Sequence, residues 1–160
     1  INSGLKNLAF IGVNEENMNA WGERYTGFVN ALKDSGLEAD EDLCYFKNLT
    51  VKTGYQAIQR FTENNKSFDG IVCASDEIAM GAINALREKG IKVPEDVSVI
   101  GFDNNVMGSI FYPKLTTISQ PSYDMGSVAV RMLIKMLNKK ELDNPNYVLN
   151  YELIKRESTK

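Results

Sequence analysis

The 160-residue sequence has no histidine and only two cysteines, Cys44 and Cys73. Without histidine there is no imidazole base, no Ser-His-Asp triad and no His-containing metal site. Two cysteines make neither a zinc ribbon nor a disulfide framework. Each sits in an apolar run and reads as a small buried hydrophobe. No apolar stretch nears the roughly 20 residues that a membrane-crossing helix needs. Basic residues are not in surplus: 18 Lys+Arg stand against 21 Asp+Glu, a net charge of -3. That balance argues against a nucleic-acid-binding face on this chain. Phosphate-binding glycine patterns are missing too. There is no P-loop and no nucleophile elbow, and the turn Gly12-Val13-Asn14-Glu15-Glu16 holds one glycine where a dinucleotide fingerprint needs three. A flavodoxin-like or Rossmann-like catalyst therefore ranks low, and no metal or cofactor is expected. The first residue is Ile and no basic-then-apolar leader opens the chain, which reads as a piece of a longer cytoplasmic protein.

What is present is an ordinary globular composition, 43% apolar and 24% charged. Residues 8–13 form a short continuous apolar run, as expected of a strand buried on both faces. Trp21, Tyr25, Phe28, Val29 and Leu32 then make a helical stripe, closed by Gly36. Residues 43–46 read as a second strand and Val51, Tyr55, Ile58 and Phe61 as the face of a second helix, capped by Thr50 or Asn48. Residues 70–74 give a third strand, Ser75-Asp76 opens a third helix that closes at Gly90, and residues 97–102 give a fourth strand. Strict alternation over residues 8–102 predicts an α/β fold, a parallel sheet with helices on both faces. After Phe102 the rhythm changes. Residues 115–119 are extended, 123–139 form a long helix with an unusually wide apolar face, and 147–154 alternate as a last strand.

Ligands of open α/β sheets bind at the carboxyl ends of the strands. That edge gathers Asn14, Asn48, Leu49, Ser75, Asp76, Asp103, Asn104 and Asn105, with Arg24 one turn into the first helix. One cation, two carboxylates, several amides and a hydroxyl suit a polyhydroxylated small molecule, because a carboxylate accepts two hydroxyl protons and Arg offers a fork of donors.

Three stretches then point further: Ser75-Asp76-Glu77-Ile78-Ala79-Met80-Gly81-Ala82; residues 90–104, GIKVPEDVSVIGFDN; and Leu115-Thr116-Thr117-Ile118-Ser119-Gln120-Pro121. With Arg24-Tyr25-Thr26-Gly27-Phe28 and Arg156-Glu157-Ser158-Thr159, the chain resembles the effector-binding core of lactose-repressor-type (LacI/GalR) transcription regulators along nearly its whole length. The resemblance implies a periplasmic-binding-protein-like (type I) C-terminal lobe over residues 1–118 and 147–160. Residues 119–146 would be a crossover and helix belonging to the N-terminal lobe, most of which is missing along with the DNA-reading helix-turn-helix headpiece. The partners implied are a sugar or sugar phosphate effector, a second copy in a homodimer, operator DNA through the missing headpiece, and a phosphocarrier co-repressor as in the catabolite-control branch. No membrane is involved. A periplasmic sugar-binding protein, which shares the two-lobed fold, is the alternative.

Residue by residue, Arg24 and Asp103 match the family positions that bind effector hydroxyls, against the plainer readings of a surface arginine and a turn aspartate. Asp76 is a helix N-cap ahead of a ligand contact. Ser75 stands where family members carry a longer polar side chain. Leu49 replaces an aromatic that stacks on the ligand ring, and Phe46 is a possible substitute whose core role is preferred. Gln120 is either a ligand contact or a hinge residue, and Asn14 and Met18 are weak candidates. Trp21 is assigned to packing. For the dimer, Met80, Ile83, Ile110 and Tyr112 are the expected surface residues, with Ile78 and Leu86 packing inside. The wide face of the long helix, lacking its partner sheet, would dock on another copy or back on its own lobe.

Overall fold

A computed structural model describes residues 4–13, 20–142 and 144–160. Its elements run β1 Leu8–Gly12, α1 Ala20–Asp34, β2 Cys44–Phe46, α2 Val51–Glu63, β3 Gly70–Cys73, α3 Asp76–Glu88, β4 Ser98–Phe102, α4 Val106–Ile110, β5 Thr116–Ser119, α5 Ser122–Leu137 and β6 Glu152–Ile154. The strands form one sheet in the order β2-β1-β3-β4-β5-β6. The first five pair in parallel, and β6 joins β5 antiparallel. The last strand is thus shorter than the alternation of Leu149, Tyr151 and Leu153 predicts, and it runs the other way. Only three residues reach a partner strand; Tyr151 and Leu153 are exposed.

Register sorts the two faces. Phe10 pairs Val72, Val72 pairs Ile100, and Ile100 pairs Thr116, so these four share one face. Rings of Tyr25 and Phe28 in α1 lie 5.1 and 5.4 Å from the Phe10 ring, which places α1 on that face. Phe46 joins the same cluster, 6.0 Å from Phe10, in the core role preferred for it. Such ring pairs contribute about 0.5–1.5 kcal/mol each beyond area burial. The opposite face carries Ala9, Ile11, Ile71, Val99 and Gly101 and is covered by α2 and α3.

The α2–α3 contact is unusually close. A Cβ on Gly54 would lie 1.9 Å from the Ile78 carbonyl oxygen, and one on Gly81 would lie 1.9 Å from the Val51 carbonyl oxygen. Backbone meets backbone at both points. In consequence α3 is buried almost all round. Met80 and Ile83, expected on a pairing surface, are only 8% and 1% exposed and fill the interior. The third helix lies where the sequence predicts it, but it has no free side to offer. Ile110 and Tyr112 are 70% and 79% exposed, beside exposed Val106 and Met107.

Helix α5 buries none of its residues. It does not fold back onto the sheet. Its Val128, Met132 and Lys135 instead line a shallow hollow with Leu142, Asn144 and Tyr147.

Candidate functional site

Loop geometry at the end of β4 builds the site. Asp103 and Asn104 take φ values of +108° and +52°, a region that asparagine and aspartate enter more readily than other side-chain-bearing residues, at a cost of roughly 1–3 kcal/mol each. Several bonds hold that backbone in place. The Asn104 N–H donates to the Thr117 hydroxyl at 3.2 Å, and the Asn104 carboxamide donates to the Ser119 hydroxyl at 3.2 Å. Arg156, in the segment after β6, donates to the Asn104 side-chain oxygen at 2.7 Å and to the Leu115 carbonyl at 2.8 Å.

Asp76 anchors the same loop from below. Its carboxylate accepts the Asn105 N–H at 2.6 Å and the Thr117 hydroxyl at 2.6 Å. It is buried, and burial pushes its carboxyl above the ordinary carboxylate range, against the pull of those two donors. The capping role expected of Asp76 falls instead to Ser75, whose hydroxyl accepts the Ile78 N–H at 3.3 Å. Asp76 is the first helical residue, so its side chain is free to reach across to β5.

Arg24 and Asp103 face one another at this edge. A guanidinium nitrogen of Arg24 lies 3.6 Å from an Asp103 carboxylate oxygen, and another donates to the Ala74 carbonyl. The guanidinium plane sits 3.6 Å above the Phe102 ring, a cation–π arrangement. Gln120 donates to the Asp103 carboxylate at 2.9 Å. Burial lowers the Arg24 pKa from its ordinary value and raises that of Asp103, and in each the partner's charge works against burial. At 3.6 Å the pair is a loose ion contact and not a close hydrogen bond. Beside it, Phe102 and Gln120 border a cleft of about 430 Å³ closed by Met125, Tyr147, Leu149 and Tyr151.

The structure therefore brings Arg24, Asp103 and Gln120 into one cluster. Ser75 is buried and occupied as a cap, and Leu49 packs on the core. Asn14 and Met18, and the side chain of Trp21, lie outside the described residues. Phe102, Thr117 and Tyr147 were not picked out by sequence. Phe102 was legible only as the last residue of the fourth strand, and Thr117 only as a member of the 115–121 stretch. Among the described residues no cluster of His, Cys, Asp or Glu has the geometry to hold a metal ion.

The profile of the periplasmic binding protein-like domain family matches residues 1–159. The chain is 62% identical over 159 residues to the HTH-type transcriptional regulator RegA of Clostridium saccharobutylicum, covering 99% of this chain and 48% of that one. It is 34% identical to the solved transcription regulator CcpA of Lactococcus lactis, with a TM-score of 0.90 over 99% of this chain and 58% of that one. The chain belongs to the lactose-repressor-type branch of the periplasmic-binding-protein-like family. A further solved neighbour, the transcriptional regulator CelR in complex with cellobiose, is 30% identical with a TM-score of 0.91, over 98% of this chain and 48% of that one. The chain spans about half the length of the curated relatives it matches. Those relatives are transcriptional regulators, and no helix among the described residues is long and apolar enough to cross a membrane.

Proposed function

We propose that this lobe senses a sugar or sugar phosphate for a LacI/GalR-type regulator, acting by binding and not by catalysis. One observation carries the reading: Arg24, Asp103 and Gln120 converge at the carboxyl ends of parallel strands, next to an aromatic-lined cleft. A carboxylate that accepts and a guanidinium that donates, side by side, match the paired hydroxyls of a sugar ring. Residues 119–146 would belong to the second lobe, which fits a helix with no buried residue. Ligand held between the lobes would bias their closure, and with it DNA affinity, by its differential affinity for the two states. The exposed Ile110 and Tyr112, with Val106 and Met107, are the residues left for pairing in a cytoplasmic homodimer. Operator DNA would be met through a headpiece outside these residues, and a phosphocarrier co-repressor is the remaining partner on this reading.

The test uses the whole regulator. Thermal-shift screening of sugars and sugar phosphates first identifies the effector. Asp103→Ala is then expected to bind operator as the natural protein does while losing effector affinity about 10- to 150-fold, the loss of a hydrogen bond to a charged group. An effector response equal to the unsubstituted protein's would refute the assignment.

A further inference from the structure

The charges around Asp103 separate one kind of sugar from another. Arg24 supplies the positive charge there, and it is committed on three sides: to the Ala74 carbonyl, to Asp103 at 3.6 Å, and face-on to the Phe102 ring at 3.6 Å. Arg156 is held beneath the loop by its bonds to Asn104 and Leu115, where its charge acts on Asp76. Lys47, just after β2, donates to Gln56 at 3.4 Å and lies over the Tyr45 ring at 5.4 Å. Two carboxylates stand against Arg24. Burial first, and then the charge of Glu77, raise the Asp103 pKa, so these two acids feel one another. Glu77 is exposed in the first turn of α3, at the same end of the sheet. The sequence joining β1 to α1, residues 13–19, contains Glu15 and Glu16 and no Lys or Arg.

Nor do the helix ends favour an anion. A helix N-terminus is a ready phosphate site, because its free N–H groups and its dipole both attract negative charge. Helices α1, α2, α3 and α5 each follow a parallel strand, so their N-termini gather at this edge. The chain's own side chains already fill that role. Asp76 and Glu77 occupy the first turn of α3, Glu23 that of α1 and Asp124 that of α5. Ser75 accepts the Ile78 N–H at 3.3 Å, and Thr50 accepts the Thr53 N–H at 3.3 Å at the start of α2. A phosphate monoester carries about -1.5 to -2 charge at neutral pH, and it meets carboxylates here where it needs donors.

We propose that the effector of this site is an uncharged sugar, discriminated from its own phosphate esters, and that Glu77 sets the discrimination. This rests on the sugar-sensing reading above and narrows it. A neutral hydroxyl donates to Asp103 while Arg24 stays beside it as counter-ion. A phosphate has to settle against Asp103 and Glu77, or draw Arg24 away and leave Asp103 without its counter-ion. Like charges brought together in a binding site reject the wrong partner even where every other contact is kept.

The test takes the whole regulator and matched probes: glucose, fructose, ribose and maltose, each beside its own phosphate ester, titrated by calorimetry. In a pair that binds, the ester is expected to bind about 10-fold or more weakly than its parent. Raising salt from about 0.05 M to about 0.5 M screens a repulsion, so it should strengthen ester binding and leave the parent sugar unmoved. Glu77→Lys is expected to keep operator binding, which shows that it folds, and to narrow the gap to about 3-fold or less, with Glu77→Gln in between. An ester that binds as tightly as its parent, an ester that weakens with salt, or a gap unchanged in Glu77→Lys overturns the proposal and leaves the sugar-sensing reading standing. Silence from every sugar and every ester overturns both.

Discussion

Asp76→Ala tests whether the Asp103 loop is held from beneath. The carboxylate accepts two donors at 2.6 Å, the Asn105 N–H and the Thr117 hydroxyl. Each bond to a charged acceptor is worth about 1.5–3 kcal/mol. Against that stands the burial that raises the Asp76 pKa, because removing a buried carboxylate also removes its desolvation penalty. Thr117 is fully buried, so its hydroxyl cannot turn to water; it keeps the Asn104 N–H and has only the Ile118 carbonyl, at 3.5 Å, as another acceptor, so loss of the Asp76 acceptor costs about 1–3 kcal/mol, while the Asn105 N–H lies nearer the surface and rehydrates. The expected net loss is about 2–4 kcal/mol, read from urea unfolding followed by circular dichroism. Thr117→Val removes the hydroxyl at nearly constant volume. If Asp76 acts through Thr117, the double variant is less destabilised than the sum of the singles by about 1 kcal/mol or more. Effector affinity should fall with Asp76→Ala although Asp76 does not face the cleft. Additivity within about 0.5 kcal/mol, or an unchanged effector affinity, would refute the coupling.

Two other outcomes follow from the geometry. Gly81→Ala should lower stability by about 1–3 kcal/mol, because the roughly 1 kcal/mol that alanine adds to helix propensity is outweighed by a Cβ 1.9 Å from the Val51 carbonyl oxygen; a thermal midpoint lower by about 5 °C checks this, and a higher one contradicts it. The pH dependence of effector binding should reflect the raised Asp103 pKa. On acidification the carboxylate is neutralised sooner than an ordinary aspartate, so affinity is full at neutral pH and drops at a pH above the usual carboxylate range, while Asp103→Asn shows a weak, flat profile by calorimetry.

The order of strands and helices was legible because a parallel sheet buries both faces and writes its strands as continuous apolar runs. Residues 8–13 are such a run, 97–102 is one broken only by Ser98, and the observed strands Leu8–Gly12 and Ser98–Phe102 fall within them. The segment 147–154 was misread for a related reason. Alternation announces a strand with one buried face, but pairing needs a neighbour, and only Glu152–Ile154 reaches β5. The burial of Met80 and Ile83 depends on how closely α2 and α3 approach, which is decided by Gly54 lying against the Ile78 backbone and Gly81 against the Val51 backbone. No local pattern encodes that pairing. At the site, Arg24 and Asp103 stood out by charge and place. Ser75 takes the capping role expected of Asp76 because either is a good N-cap in sequence; Asp76 is drawn away by Thr117, a residue 41 positions from it.

The connectivity of the cluster bears on how binding could be transmitted. Gln120 stands one residue past β5 and two before α5, on the stretch that leaves the sheet, and its carboxamide is tied to Asp103. Arg156 stands two residues past β6, on the stretch that has just rejoined the sheet, and it is tied to Asn104, the neighbour of Asp103. The two chain segments bounding residues 119–146 thus bond to adjacent residues of one strained loop. By the proposed reading a ligand hydroxyl donating to Asp103 joins Gln120 on the same carboxylate, and the backbone of Asp103 and Asn104 cannot shift without pulling on Arg156. On the proposed reading, binding at the strand ends acts on both connections between the lobes at once. If that reading holds, the Gln120–Asp103 bond ties the outgoing connection to the ligand-binding carboxylate, and Gln120→Ala is expected to change the resting lobe equilibrium as well as affinity.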